Sequence, residues 1–183
     1  MLIQSVFAGF GGQGILRAGQ IIAYAGMAGN LYVSWLPSYG PEMRGGTANV
    51  AVVLADEPVA SPVVSTPSVV IAMNRPSLEK FAPMMQTGGK LIINSSLIDI
   101  VSERDDLIQY QIRANDIAQE LGNPRAANMV ILGVFQAVTG IIPDETVEEH
   151  IRQSFAAKPQ FIELNIACFR HGKNSISQSG INA

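Results

Sequence analysis

One cysteine, Cys168, stands among 183 residues. A single thiol excludes an internal disulfide framework. It also excludes any four-cysteine iron–sulfur or zinc site built from this chain alone. Charge is scarce as well: 15% of residues are Asp, Glu, Lys or Arg, and the net charge is −3. With no basic run and no basic–aromatic interleaving, nucleic acid is not an expected partner. No apolar segment reaches membrane-spanning length without a polar interruption, which predicts a soluble chain with no membrane contact. The apolar start has no cationic region before it and runs straight into glycines, unlike a signal peptide. These absences together point to the cytoplasm.

Signatures of catalysis are missing too. His150 and His171 have no metal-ligand spacing around them and read as structural or surface residues. Cys168 lacks a histidine-plus-amide constellation and reads as a packed thiol. Gly14 is followed by Ile15 where a phosphate-binding P-loop needs lysine, and no G-x-S-x-G elbow occurs. The chain alone carries no catalytic site.

What the chain does have is 48% hydrophobic residues, enough for one domain with a full core and a partner-facing surface besides. It opens with an apolar run, Leu2 to Ala8, and then Gly9-Phe10-Gly11-Gly12-Gln13-Gly14. Apolar residues at helical spacing follow from Ile15 to Ala28. Strand, glycine turn and helix make the first half of a βαβ unit. Glycines there permit positive φ and leave backbone amides bare at a helix N-terminus, where an anion is favoured. Arg17, in the first helical turn, either helps hold such an anion or is an ordinary exposed arginine.

Leu31 to Trp35 predicts the second strand. A dinucleotide-binding unit needs a carboxylate at its end, about twenty residues beyond the glycines. The strand ends Ser34-Trp35-Leu36-Pro37, and the first acid is Glu42, inside the next loop. That argues against ordinary NAD binding. The loop itself, Ser38 to Thr47, holds Tyr39, Glu42, Arg44, Gly45 and Gly46. An arginine fork there can grip a carboxylate or phosphate; equally, Glu42 and Arg44 can pair with each other.

Further strands are expected at Ala48–Ala55, at Val59–Val64 as an edge strand returning through an Asp56-Glu57-Pro58 turn, and at Ser68–Met73, Lys90–Asn94 and Leu107–Ile112. Helices are expected from Pro76, with Pro83 shortening it, and over Ala114–Leu121, Arg125–Thr139, Pro143–Phe155 and Gln160–His171. The pattern is α/β: a Rossmann-like three-layer domain over residues 1–171, with a mostly parallel sheet, one β-hairpin or edge strand, and helices on both faces. Residues 172–183 show no period and read as a flexible tail.

Taken together, Gly9–Gly14, the Ser38–Gly46 loop and Ala127-Asn128-Met129-Val130-Ile131-Leu132-Gly133 resemble the gamma subunit of 2-oxoacid:ferredoxin oxidoreductases, over nearly the whole chain. The resemblance implies a multi-subunit enzyme that decarboxylates a 2-oxoacid oxidatively to an acyl-coenzyme A and CO2. It implies thiamine diphosphate and iron–sulfur clusters in companion alpha, beta and ferredoxin-like delta subunits, with ferredoxin accepting the electrons. This chain agrees with that division, having one cysteine and no Gly-Asp-Gly start of a thiamine diphosphate motif. Its part would be assembly and a share of the coenzyme A side. The candidate binding residues are Gly9, Gly11, Gly12, Gln13, Gly14, Tyr39, Glu42, Arg44, Gly45 and Gly46. Two rivals stand beside this reading: a stand-alone dinucleotide-binding protein, and a purely structural scaffold.

Overall fold

The computed structural model describes residues 1–39 and 47–178. Strands β1 (Leu2–Phe10), β2 (Tyr32–Tyr39), β3 (Thr47–Ala55), β4 (Val69–Ala72), β5 (Lys90–Asn94) and β6 (Ile108–Ile112) form one sheet, in the order β2-β3-β1-β4-β5-β6. β1, β4, β5 and β6 pair in parallel, and β3 runs against both of its neighbours. The fold class expected from the sequence is therefore observed.

Among the described residues, six helices cover the sheet: α1 (Ile15–Ala28), α2 (Arg75–Phe81), α3 (Ala114–Glu120), α4 (Ala127–Thr139), α5 (Asp144–Ser154) and α6 (Ile162–Gln178). The larger core packs α1 and α4 to α6 against Phe7, Val50, Val52, Leu54, Ile71 and Ile92. The smaller core, on the opposite face, packs α2 and the 3-10 turn Ala82–Met84 against Val6, Val70, Leu91 and Ile93. This alternation of side chains along each strand is what places a layer on both sides. α4 is apolar all round because it is sandwiched between the sheet and α6, and the Phe135 and Phe7 rings meet at 5.2 Å.

Three differences from the sequence reading have physical causes. Val59–Val64 is not a strand. Pro62 strips a ladder donor from the middle of this stretch, Pro58 stands just before it, and the antiparallel hairpin is made instead by β2 and β3. β2 continues past Trp35 through Pro37 to Tyr39, which an edge strand tolerates because one of its sides needs no donors. The last helix runs on past His171 to Gln178, so the expected tail begins inside α6; Gly172 there is buried against α4.

The inserted β3 has a consequence for dinucleotide binding. In the usual doubly wound order, the strand after the first helix lies directly beside β1. Here it lies two strand spacings away, roughly 10 Å. An acid at the end of β2 would stand too far from the glycine turn to reach a ribose held there. The missing carboxylate and the strand order thus tell the same story.

Candidate functional site

The carboxyl ends of parallel strands are where ligands bind in open α/β sheets, at the point where strand order reverses. In this chain that point lies between β1 and β4. β1 delivers Gly9 and Phe10 to it, and the chain then turns through Gly11 and Gly12 into α1. Gly12 has φ +97° and Gly14, the N-cap of α1, has φ +72°, conformations that side-chain-bearing residues rarely adopt. Gly11 and Gly12 are exposed, and nothing lies within 4 Å of where a Gly12 Cβ would be.

The turn is braced rather than loose. The Gln13 backbone N–H donates to the Phe10 carbonyl at 3.2 Å, while the Phe10 N–H donates to Gln13 Oε1 at 2.6 Å. Gln13 Nε2 donates to the Met73 carbonyl at the end of β4, at 3.0 Å. From the other side, Asn128 Nδ2 donates 3.0 Å to the Gly14 carbonyl. Gln13 therefore spends both ends of its amide on backbone groups. It shapes the turn, with one N–H of Nε2 and one lone pair of Oε1 left over.

No described side chain caps α1 and no acid lies in its first turn, and both statements hold equally for α4. Their N-termini meet through the Asn128–Gly14 hydrogen bond. Two helix dipoles thus bring partial positive charge to one place, and among the described residues neither first turn holds a carboxylate to neutralise it. Such an arrangement suits a phosphate or carboxylate.

Tyr39 ends β2 and pairs with Ala48, while Thr47 begins β3 as the register partner of Phe10. The loop carrying Glu42, Arg44, Gly45 and Gly46 lies outside the described residues. Tyr39 and Thr47 themselves lie at the same end of the sheet as Phe10, from which the glycine turn leaves. Arg17 does not join them. Its Nη1 donates to the Ser154 carbonyl at 3.0 Å, and its guanidinium lies 5.0 Å from the centre of the Phe155 ring, so it ties α1 to the end of α5.

Several polar residues at this edge were not singled out by sequence. Asn128 is one; its signal was a lone amide in the first turn of an otherwise apolar helix. Asn74, buried at the end of β4, accepts from the Ser77 N–H at 2.9 Å and so caps α2. Its Nδ2 and Ser77 Oγ have no partner among the described residues. Asn94, ending β5, donates to Asn115 Oδ1 at 2.8 Å and leaves its own oxygen unpaired. Away from this edge, Cys168 is fully buried and desolvation raises its pKa to about 11, as a packed thiol requires. Among the described residues no group of three or more His, Cys, Asp or Glu side chains could hold a metal ion, and no helix is long and apolar enough to cross a membrane.

A Rossmann-like sheet with an antiparallel strand between β1 and β2, and a carboxylate-free glycine turn at its switch point, defines an α/β domain distinct in strand order from the usual dinucleotide fold. The family model described as "Pyruvate ferredoxin/flavodoxin oxidoreductase" matches residues 4–175. The chain belongs to that family. It is 40% identical over 167 residues to ketoisovalerate oxidoreductase subunit VorA of Methanothermobacter marburgensis, covering 90% of this chain and 34% of that one. It thus spans about a third of the length of the curated relatives it matches first. The gamma subunit of a keto/oxoacid ferredoxin oxidoreductase from Geobacter sulfurreducens superposes with a TM-score of 0.87 at 26% identity, covering 98% of each chain. A 2-oxoglutarate:ferredoxin oxidoreductase from Magnetococcus marinus, solved with 2-oxoglutarate, coenzyme A and succinyl-CoA bound, shares the fold. There the TM-score is 0.89 at 24% identity, over 98% of this chain and 32% of that one. In fold and extent the present chain corresponds to a gamma subunit of this family.

Proposed function

We propose that this chain works as the gamma subunit of a cytoplasmic, multi-subunit 2-oxoacid:ferredoxin oxidoreductase, which converts a 2-oxoacid and coenzyme A to acyl-coenzyme A and CO2 and passes electrons to ferredoxin. The observation that carries its own share is the glycine turn: an exposed turn where two uncapped, acid-free helix N-termini meet, beside the base of the Tyr39–Gly46 loop. A coenzyme A phosphate is the anion we assign to it, with Gly11, Gly12 and Gly14 giving close backbone approach and Arg44 a guanidinium fork. Gly9 keeps room for the Gln13 brace, since a Cβ there would lie 2.5 Å from Gln13 Oε1.

Thiamine diphosphate and iron–sulfur clusters fit the companion alpha, beta and delta subunits and not this chain. One buried thiol cannot build a four-cysteine cluster. Thiamine diphosphate supplies the electron sink for decarboxylation and the clusters carry single electrons away. This chain's residues bind and orient; none of them is assigned a proton or a bond. The particular 2-oxoacid is left to the companions, since the relatives' own names include both ketoisovalerate and 2-oxoglutarate.

The test is Arg44→Ala in the purified complex. We expect unchanged folding with a raised KM for coenzyme A or weaker subunit association. Wild-type kinetics together with wild-type assembly would refute the assignment. A purely structural role predicts instead that changes in the glycine turn damage assembly and catalysis in proportion.

A further inference from the structure

The ladder between β1 and β4 does not end on a backbone rung. The two strands are parallel, with Ala8 opposite Ala72, and the Met73 N–H donates to the Ala8 carbonyl at 2.8 Å. One step further, a parallel ladder would join the Phe10 N–H directly to the Met73 carbonyl. Those two groups are joined instead through the side chain of Gln13. Its Oε1 accepts from the Phe10 N–H at 2.6 Å, and its Nε2 donates to the Met73 carbonyl at 3.0 Å. A carboxamide carries the donor and acceptor of a peptide unit, so it serves as an inserted rung.

Gly9 leaves the space for it. A Cβ on Gly9 would stand 2.5 Å from Gln13 Oε1 and 2.9 Å from Met73 Cβ, so a side chain at this point of β1 is incompatible with the carboxamide lying across the seam. The turn supplies the reach. The Gln13 N–H closes on the Phe10 carbonyl at 3.2 Å with Gly12 at φ +97°, which returns the Gln13 side chain over the strand the chain has just left. Gly9, Gly12 and Gln13 act as one device.

The seam they span is the switch point, where open α/β sheets take their ligands. Within it, the Phe10 N–H and the Met73 carbonyl are already used. Gly11 and Gly12, by contrast, are exposed.

We propose that Gln13 is a positioning residue for coenzyme A. Its carboxamide holds the carboxyl ends of β1 and β4 one amide apart, fills the crevice between them, and leaves the outer backbone of Gly11 and Gly12 as the seat of the phosphate. This rests on the assignment of a coenzyme A phosphate to the glycine turn. The same wedge sets specificity, since the pyrophosphate of a dinucleotide lodged at the switch point would meet the carboxamide first. Without the carboxamide, the Phe10 N–H and the Met73 carbonyl can pair with each other. Gln13→Ala therefore keeps both groups satisfied, draws the two strand ends together and tilts the turn that leaves β1. What is lost is placement, not folding.

The experiment uses the assembled enzyme carrying Gln13→Ala, Gly9→Ala or both. Gln13→Ala should keep subunit recovery and the circular dichroism spectrum, raise KM for coenzyme A about tenfold and leave kcat within about twofold. Gly9→Ala should raise KM likewise, because its Cβ evicts the carboxamide. The double variant should have a KM no higher than the worse single variant, a non-additivity that independent sites do not show. An unchanged KM in folded Gln13→Ala enzyme overturns the proposal. So do KM effects that simply multiply, and so does a kcat that falls in step with lost assembly, the mark of a scaffold.

If Gln13→Ala fails to fold, residue-resolved hydrogen exchange on the wild-type complex decides. Coenzyme A should slow exchange at Gly11 and Gly12 and leave the Phe10 amide, already bonded to Gln13, unchanged. Added protection at Phe10 puts the ligand in the crevice and overturns the proposal. If coenzyme A protects no amide of the turn, the phosphate assignment falls and takes the role of Gln13 with it. Protection of Gly11 and Gly12 alongside a wild-type KM in Gln13→Ala sinks the positioning role alone.

Discussion

Gly133 of α4 and Gly172 of α6 are each pressed against the other helix's backbone. A Cβ on Gly133 would stand 1.9 Å from the Phe169 carbonyl oxygen, and one on Gly172 would stand 1.9 Å from that of Val130. Backbone atoms cannot rotate aside as a flexible side chain can, so any side chain here must push the helices apart. Since α6 covers α4 and α4 covers the sheet, the disturbance reaches the main core.

Gly133→Ala therefore sets two effects against each other. Alanine in a helix interior gains about 1 kcal/mol over glycine. Overpacking costs about 1–3 kcal/mol, toward the upper end where backbone must move. We expect net destabilisation of roughly 2 kcal/mol, read as a lowered denaturant midpoint, and the same sign for Gly172→Ala. A Gly133→Ala protein as stable as wild type would mean that separating the helices costs no more than the about 1 kcal/mol that alanine gains.

Cys168 should be chemically silent in the folded chain. Burial raises its pKa to about 11, so at pH 8 it holds almost no thiolate, and its sulfur is closed to reagent. Disulfide-exchange labelling should be slow natively and complete within minutes in denaturant. Fast native labelling would show that α6 opens locally.

The fold was legible because its signals are local and redundant. Lys90–Asn94 lies between a Gly-Gly pair and a polar turn, and its bounds emerge as read. The inserted strand was not legible: Thr47–Ala55 looks the same whether its partner is β2, β1 or Val59–Val64, because pairing is set by long-range packing. The glycine turn was visible as composition. Its bracing was not, since Gln13–Met73 and Gly14–Asn128 join residues 60 and 114 positions apart. Arg17 likewise acquired its partners, Ser154 and Phe155, only through the packing of α5 on α1.

Acid should loosen the α5–α6 contact. Glu148 accepts from Arg170 Nε at 2.6 Å and Nη2 at 2.7 Å, and these bonds, with the charges of Arg170 and Arg152, hold its pKa below the usual value. A depressed folded pKa means that the contribution is complete above the unfolded value, about 4.3, and is lost as pH falls through the folded one. Glu148 is largely covered, but Arg170 is more than half exposed, so solvent screening keeps the pair's contribution small. Glu148→Gln should be slightly less stable than wild type at pH 7, with the gap closing below about pH 4. A gap that stays constant across this range would rule the ion pair out as its cause.

Asn128→Asp puts a sharper question to the anion site. The change keeps the shape but removes the Nδ2 donor and sets a carboxylate against the Gly14 carbonyl, which the amide now meets at 3.0 Å. The helix dipoles favour the new charge by about 0.3–1 kcal/mol, whereas the lost hydrogen bond and the facing lone pairs cost about 1–3 kcal/mol. Stability should fall by roughly 1 kcal/mol, and Asn128→Ala should lose a similar amount. Anion binding should separate the two variants. The aspartate occupies the positive field that two uncapped helix ends provide; the alanine leaves that field empty. In the assembled enzyme the KM for coenzyme A should therefore rise several-fold more for Asn128→Asp than for Asn128→Ala, with kcat little changed in either. Equal increases would reduce Asn128 to a structural brace, and the coenzyme would then have to be held elsewhere.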